Sequence, residues 1–322
     1  MANERVRIAV PDLVSPSYFP AIAAADLGLG GPDRIDFELE LRFPVTEAAA
    51  ALRDNRIDVL AGAAHAPLYA FPGWSGAKLL AAISHNTYWM LVVRSDLGCA
   101  RNDLSGLRNV RIGAAPGPDL GLRLLLAEAG ADIDERGIDI VRIVGASADN
   151  VSFGVTAADA MASGEVDGFW ANGMGAEVAV VRGTGTLVLD ARRGDGPPLL
   201  PTYTFPAIMA SDETVSSRPQ VVKGAIRSLV RAQQLLRTDP GQATAVGQHL
   251  FPKMEATMIA ELISRDAEFY QPFISEASVA SLNAFAIRGG LLDSPVAYNE
   301  VVAAGASVFW EFDPTTRPRK VS

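Results

Sequence analysis

Residues 51–61 read ALRDNRIDVLA, and residues 160–170 read AMASGEVDGFW. Each stretch has the pattern of a helix end, a tight turn, an Ile/Val-Asp pair and a buried strand. The segment RIAVP at residues 7–11 is matched in the same way by RIGAAP at residues 111–116. An alanine-rich α/β chain gives one such match by chance, but two matches at nearly equal spacing predict two lobes of like construction.

The size and composition of the chain agree with two lobes and exclude several classes of function. At 322 residues and 49% hydrophobic, the chain exceeds the usual size of a single core. A net charge of -9 argues against nucleic acids and anionic membranes as partners, because both require a basic surface. The single cysteine, Cys99, excludes an intramolecular disulfide, a thiolate zinc cluster and an iron–sulfur site. We therefore expect no cofactor.

The beginning of the sequence bears on where the protein works. The residues MANER pass directly into a strand-like run at residues 6–10, without the apolar core of a signal peptide. As it stands, the sequence predicts a cytoplasmic protein, whereas a trimmed export signal would make it periplasmic or extracellular. No apolar run approaches the ~20 residues needed to span a bilayer, so no membrane insertion is expected.

Short β-rich runs alternate with Ala/Leu-rich helical stretches, which is typical of α/β layers built on mostly parallel sheets. The strand candidates are Arg5 to Val10, Phe37 to Phe43, Asp58 to Ala61, Leu79 to Ser84, Met90 to Val93, Arg111 to Ala114, Asp139 to Val144 and Gly168 to Trp170. The helix candidates are Pro20 to Asp26, Thr46 to Asp54, Leu120 to Ala129, Thr156 to Ser163, Gly175 to Arg182, Gln220 to Arg237, Asp239 to Leu250, Glu255 to Arg265, Glu276 to Arg288 and Val296 to Glu300. The last third of the chain is predicted to be mainly helical.

The repeat also predicts where a ligand binds. In open parallel sheets, ligands lie beyond the carboxyl ends of the strands, where loops present backbone amides and helix N-termini. Applied to both copies, this rule selects four loops, Pro11 to Tyr18, Gly62 to Pro67, Pro116 to Gly121 and Ala171 to Gly175. If the lobes face each other, the four loops line one cleft.

Five segments, in this order, resemble the type II periplasmic-binding-protein family, in its branch of aliphatic-sulfonate, taurine and thiamine-precursor binding proteins. They are ALRDNRIDVLAGA at residues 51–63, YWMLVVRSDL at 88–97, DLSGLRNVRIGAAPGPDLGLRLLLAEAG at 103–130, DAMASGEVDGFWANG at 159–173 and TYTFPAIMASDETVSSRPQVVKGAIRSLVRA at 202–232. Each is weak alone, but their order and spacing cover most of the chain.

The resemblance implies a two-lobed α/β fold in which each lobe is a mostly parallel sheet flanked by helices. The first lobe would be discontinuous, with residues 5–94 plus 199–322, and the second would span residues 95–198. Two crossover strands would act as the hinge of the cleft between the lobes.

Two cleft loops supply candidate ligand contacts. In the first loop the candidates are Ser15, Ser17 and Tyr18, because the family commonly fixes its ligand with hydroxyl or amide groups; in a proline-flanked loop, hydroxyls are also ordinary turn residues. In the loop at residues 116–121 the candidates are Gly117, Pro118 and Asp119, whose backbone amides precede a helix and suit an anionic group. Asp119 is equally suited to be a helix N-cap, and its charge weakens an anion site.

Two of the three histidines are candidate ligand contacts. His65 follows the predicted strand at residues 58–61, which places its imidazole at the cleft, and His85 precedes the crossover. His249 lies in a helical stretch and is expected to be structural. Histidines so dispersed show no metal-ligand spacing, so no metal site is predicted.

Aromatic side chains near the predicted cleft suit a flat or apolar ligand, since binding pockets are mostly apolar with a few placed polar groups. Among them we expect Tyr88, Trp170 and Tyr203 to contact the ligand, with Asn172 as a direct polar contact. The remaining aromatics in this set are Trp89 and Phe153.

The function that the resemblance implies is ligand binding by cleft closure, as the substrate-binding component of an ABC-type importer. The partners would be a small-molecule ligand, either an organic anion or an aromatic or heterocyclic compound, and a transporter permease, with the protein itself a monomer. The alternative is a cytosolic enzyme on the same fold, because fold alone does not determine function.

The enzymatic alternative rests on Ser15 and His65. The chain is similar to thiamine-pyrimidine synthases at His65, but those enzymes carry a cysteine-rich motif that one cysteine cannot supply. It is similar to aromatic-sulfinate desulfinases at Ser15-Pro16, where they carry a reactive cysteine before proline. A serine there requires an adjacent base, which His65 or His85 would have to provide.

Overall fold

The structure is a computed structural model that describes residues 3–146 and 152–311. Within them the strands are β1 (Glu4–Val10), β2 (Ile35–Leu41), β3 (Val59–Ala63), β4 (Ala77–Ala82), β5 (Met90–Arg94), β6 (Val110–Ala114), β7 (Ile138–Val141), β8 (Gly168–Ala171), β9 (Gly185–Asp190) and β10 (Pro206–Ser211). The helices are α1 (Phe19–Asp26), α2 (Val45–Arg53), α3 (Pro118–Glu128), α4 (Ile133–Arg136), α5 (Phe153–Ala162), α6 (Gly173–Val181), α7 (Asp212–Ser217), α8 (Pro219–Thr238), α9 (Gln242–Leu250), α10 (Lys253–Asp266), α11 (Glu276–Arg288) and α12 (Tyr298–Val301).

The strands form two five-stranded sheets of the same design. The first has the order β2-β1-β3-β10-β4, and the second has the order β7-β6-β8-β5-β9. In each sheet three neighbouring strands are parallel, while β10 in the first and β5 in the second pair antiparallel to both neighbours. The α/β fold class and the twofold repeat are therefore confirmed.

The repeated Ile/Val-Asp pair fixes the base of each sheet. The Asp58 carboxylate accepts hydrogen bonds from the backbone amide of Arg7, at 2.8 Å, and from its guanidinium. In the second sheet the Asp167 carboxylate accepts from the backbone amide of Arg111, also at 2.8 Å, and pairs with its guanidinium. Asp58 joins the start of β3 to β1, and Asp167 joins the start of β8 to β6, so both aspartates have a structural role.

The chain passes between the sheets twice, through residues 83–89 and residues 191–205. Neither segment is a strand along its course, in contrast to the crossover strands expected. Thr87 joins the two segments, because its hydroxyl donates to the Thr204 carbonyl and accepts from the Thr204 amide, at 3.1 and 3.2 Å. The predicted lobe boundary at residue 94 stays a prediction; by pairing, Met90–Arg94 belongs to the second sheet.

The C-terminal third adds helices to the first sheet. The longest, α8, buries an apolar face that includes Val221, Ile226 and Leu229 and packs against α1. Helices α10 and α11 reach the second lobe through two ion pairs: Arg265 Nη2 lies 2.7 Å from Glu177 Oε2, and Arg288 pairs with Glu128. The mainly helical character predicted for this region is confirmed.

Candidate functional site

A cavity of about 430 Å³, part of it open to solvent, lies where the carboxyl ends of the two sheets meet. Its lining comes from both lobes: from the loop after β1 and the start of α2 on one side, and from the loop after β6, the start of α5 and the end of β8 on the other. The lining residues are Pro11, Asp12, Tyr18, Phe43, Val45, Tyr88, Trp89, Ala115, Pro116, Pro118, Phe153, Trp170, Ala171 and Asn172. This is the cleft that the strand-end rule predicts.

Six of the fourteen residues that line the cavity are aromatic. Phe43 of the first lobe stacks on Phe153 of the second, with ring centroids 5.8 Å apart and planes inclined by 15°. Trp89 lies 5.8 Å from Trp170, and Tyr88 lies 5.2 Å from Trp89, both measured between ring centroids. Such rings favour a flat ligand that stacks between them.

Asp12 is the acidic group of the cavity, and it connects the two lobes. Its carboxylate accepts hydrogen bonds from the Val14 amide at 2.9 Å, from the Ser152 hydroxyl at 3.0 Å and from the Asn172 side-chain amide at 2.9 Å. Burial raises the pKa of Asp12 to about 6, although these donors act in the opposite direction. Asn172 also caps α6, because its Oδ1 accepts from the Met174 amide.

Tyr18 and Tyr88 face each other beside Asp12. Their hydroxyl oxygens lie 2.5 Å apart, and their rings meet edge to face with centroids 5.5 Å apart. Burial raises the pKa of both hydroxyls, so both stay protonated at neutral pH. They provide a pair of neutral hydrogen-bonding groups on the wall of the cavity.

The loop at residues 116–121 brings the backbone of the second lobe against the first. Gly117 has φ +99°, and a Cβ there would lie 2.7 Å from Val45 Cγ1, so this approach needs glycine. The Gly117 amide donates to Asp119 Oδ1 at 3.0 Å, while the Gly117 carbonyl accepts from the Tyr69 hydroxyl at 3.4 Å. The amide expected to hold an anion is thus bound to the Asp119 carboxylate.

His65 is buried beneath the cavity. Its Nδ1 lies 3.1 Å from the Thr204 hydroxyl, and its ring meets Tyr69, Trp89 and Phe285 edge to face. Burial lowers the pKa of His65 to about 4, with an opposing contribution from the Gly117 backbone. The imidazole is therefore neutral and supports the floor of the site.

Ser15 and Ser17 are buried in the loop after β1, outside the cavity lining. The Ser15 hydroxyl accepts from the Ser17 amide at 3.3 Å. Within residues 3–146 and 152–311, neither His65 nor His85 hydrogen-bonds to Ser15. The base that a nucleophilic serine requires is therefore not in place in this conformation.

The other two predicted contacts lie further from the cavity. His85 Nε2 bonds the Phe273 carbonyl at 2.9 Å, and His85 lines a second cavity of about 540 Å³ beside the crossover segments. Tyr203 stacks on Phe285, with ring centroids 5.2 Å apart, and the Arg288 guanidinium lies over the Tyr203 ring, 5.7 Å from its centroid. Five predicted residues do line the cleft cavity, which are Tyr18, Tyr88, Pro118, Trp170 and Asn172; their contact with a ligand stays a prediction.

Three residues that line the cavity were not predicted from the sequence: Asp12, Phe43 and Val45. Asp12 lies inside a loop that the strand-end rule selected, two residues beyond β1, but it was not singled out. Phe43 and Val45 follow β2 directly, and the same rule applied to that strand would have found them.

Among residues 3–146 and 152–311, no group of three or more His, Cys, Asp or Glu side chains is arranged to hold a metal ion. Within the same residues, no helix has the length and apolar character needed to cross a membrane.

Comparison with known proteins identifies the fold. No family model matches the chain, and no curated protein matches it significantly. Among solved structures, the alkanesulfonate-binding protein SsuA from Xanthomonas axonopodis pv. citri, bound to MOPS, is 18% identical, with a TM-score of 0.67 over 95% of this chain and 98% of that one.

Two further solved structures widen the comparison. A ligand-binding component of an ABC-type import system from Staphylococcus aureus, with zinc bound, is 13% identical, with a TM-score of 0.68 over 97% of this chain and 100% of that one. The desulfurization enzyme DszB, in a complex with biphenyl-2-sulfinic acid, is 18% identical, with a TM-score of 0.62 over 94% of this chain and 97% of that one. The chain therefore has the two-lobed fold of periplasmic binding proteins, as the resemblance predicted, and that fold also carries an enzyme.

Proposed function

We propose that this protein binds a small organic molecule in the cleft and closes its lobes over it, as the substrate-binding component of an ABC-type importer. The observation that carries the proposal is a single cavity whose two sides come from equivalent loops of two equivalent sheets. Phe43 meets Phe153, and Asp12 meets Asn172, only when the lobes are together. A ligand that fills the cavity would therefore favour the closed form over the open one.

The proposal extends to the ligand, the partner and the compartment. The narrow aromatic cavity suits a flat ring, which Tyr18, Tyr88, Trp170 and Asn172 would contact together with Asp12. The partner would be a transporter permease that distinguishes the closed form from the open form, with the binding protein a monomer in the periplasm or outside the cell. The solved relatives with this fold include ligand-binding proteins of import systems, which supports this assignment.

A thermal-shift screen of flat organic compounds tests the proposal. A compound that binds the folded protein at about 100 times its Kd adds ~2.7 kcal/mol to the free energy of unfolding and raises Tm. Binding should also change the fluorescence of Trp89 and Trp170, which line the cavity, and should reduce the radius of gyration in small-angle X-ray scattering if the free cleft opens.

A matched pair of variants locates the binding. Phe43→Ala removes a cavity wall and should weaken any such ligand at least ~10-fold, an effect of about 1.4 kcal/mol. Phe273→Ala removes a half-exposed ring outside the cavity and should leave affinity unchanged. A ligand that binds both variants equally well would place its site elsewhere and contradict the proposal.

The enzymatic alternative keeps its own test. If Ser15 attacks an aryl sulfinate or acyl substrate, Ser15→Ala abolishes turnover while leaving thermal stabilisation by the same compound intact. Unchanged turnover in Ser15→Ala, or no turnover by the wild type, would contradict that alternative.

A further inference from the structure

The cavity has an acidic group without a cationic partner. Of the described residues that line it, Asp12 is the acidic one, and none is Lys, Arg or His. Asp12 is 5% exposed, and the groups that hydrogen-bond to it are all neutral: the Val14 amide, the Ser152 hydroxyl, the Asn172 side-chain amide and the Gly154 backbone amide. A carboxylate in such a place is costly to ionise unless a positive group approaches it.

The other titratable groups that face Asp12 do not balance its charge. Tyr18 and Tyr88 are neutral, because burial raises the pKa of both hydroxyls. Arg192, a buried guanidinium whose charge acts on Tyr88, is already paired with Asp266 at 2.7 Å and donates to Ser84 at 2.9 Å. The positive charge that this site favours must therefore come from the ligand.

We propose that the cleft selects a flat organic cation, an aromatic or heterocyclic ring that carries a protonated nitrogen group, and that Asp12 is the residue that recognises this group. The proposal rests on the binding function proposed above and names its ligand class. The aromatic walls agree with it, because ring faces attract cations and the Trp89, Trp170, Phe43 and Phe153 rings surround the cavity.

The same arrangement disfavours organic anions. A sulfonate or carboxylate in the cavity would face the Asp12 carboxylate, and like charges repel strongly where water is excluded. On the opposite side of the cleft, the Gly117 amide donates to the Asp119 carboxylate. An alkanesulfonate, the kind of ligand that one solved relative is named for, would therefore bind poorly here.

Three compounds with the same phenyl ring and different charges test the proposal: benzamidine, benzamide and benzoate. Binding to the wild type at about pH 7.5 is measured by calorimetry and by tryptophan fluorescence. We expect benzamidine to bind at least ~10-fold more tightly than benzamide, and benzoate to bind most weakly. Asp12→Asn should reduce the preference for benzamidine over benzamide to about threefold or less.

Two controls separate recognition by Asp12 from general effects. Asp54→Asn removes the same charge from an exposed position at the end of α2 and should leave the preference unchanged. In the wild type, benzamidine affinity should fall as the pH drops through about 6, because Asp12 takes up a proton while the amidinium stays charged. This second measurement needs no variant, so it stands even if Asp12→Asn fails to fold.

Several outcomes would overturn the proposal. They are benzoate binding as tightly as benzamidine, an undiminished preference in Asp12→Asn, a benzamidine affinity that is constant from about pH 5 to about pH 8, and no benzamidine binding at ~10 mM. The broader proposal of cleft closure fails separately, if no compound of any charge stabilises the protein in the thermal-shift screen or if a ligand binds Phe43→Ala and Phe273→Ala equally well.

Discussion

The two lobes are alike at the base of their sheets and unlike at the carboxyl ends of their strands. At the base, Asp58 bonds the Arg7 amide in one lobe and Asp167 bonds the Arg111 amide in the other, both at 2.8 Å. Beyond the strands the likeness ends, because the position two residues after β1 is the acidic Asp12 and the position two residues after β6 is Pro116.

This difference separates the residues that build the scaffold from the residues that determine which ligand binds. The base needs the same Arg–Asp pairing in both lobes because each pairing joins equivalent strands of an equivalent sheet. The strand ends face one shared cavity from opposite sides, so they need not be equivalent. One lobe supplies the charge, and the other supplies the neutral donors Ser152 and Asn172 that hold it.

The largest effect that we expect comes from the unlike position, Asp12, as a dependence of stability on pH. Folding raises the pKa of Asp12 from its ordinary 3.8 to about 6, so the folded state binds this proton more tightly than the unfolded state. The stability that protonated Asp12 contributes is fully present below the pKa of Asp12 in the unfolded chain, and it is lost as the pH rises through about 6. This stability amounts to about 3 kcal/mol.

Comparison with Asp12→Asn isolates this contribution, because other carboxylates titrate in both proteins. Urea denaturation from about pH 4 to about pH 8 should show the wild type losing stability relative to Asp12→Asn as the pH rises. A wild-type stability that stays constant relative to Asp12→Asn, or that rises relative to it with increasing pH, would mean that Asp12 is not a buried acid with a raised pKa.

The next effect compares the two like positions. The Asp58 carboxylate accepts hydrogen bonds from Arg7 and from Arg218, whose Nη1 lies 2.7 Å away. Burial acts to raise the pKa of Asp58, but these bonds hold that pKa below its usual value. Asp58→Ala should cost ~2 kcal/mol, because the Arg7 amide and two guanidinium groups lose their acceptor. Asp167→Ala should cost ~1 kcal/mol, because its side chain is 15% exposed against 9% for Asp58.

Denaturant unfolding of both variants provides the measurement, with ligand affinity of the folded protein as the control. We expect affinity to be unchanged in both, since neither aspartate lines the cavity. If either substitution altered ligand affinity without altering stability, the separation of base from strand ends would be wrong.

The sequence was sufficient to predict the pairing at the base of the sheets, but it was insufficient to predict which residues line the cavity. The repeat at residues 51–61 and 160–170 indicates how the strands pair, because strand pairing depends on the local sequence pattern. It therefore predicted the fold and the four loops. It did not predict β9, which begins after a three-residue turn that follows α6, or β10, which begins at Pro206 after the irregular segment at residues 191–205. Burial of His65 outside the cavity lining depends on partners such as Thr204 and Phe285, which lie far along the chain.

A last effect tests whether the unlike strand ends need close contact between lobes. A Cβ at Gly117 would lie 2.7 Å from Val45 Cγ1, and its φ of +99° disfavours any side chain. Gly117→Ala should therefore separate the lobes and weaken ligand binding ~10-fold, about 1.4 kcal/mol, as calorimetry would show.

Gly130→Ala is the matched control, because Gly130 also has positive φ, +66°, but has nothing within 4 Å of the added Cβ. It should lower the free energy of unfolding by ~1 kcal/mol through backbone strain and leave ligand affinity intact. Equal losses of affinity in the two variants would show that backbone strain alone causes the effect of Gly117→Ala. A loss confined to Gly117→Ala would show that contact between the two unlike strand ends, rather than either loop by itself, completes the ligand cavity.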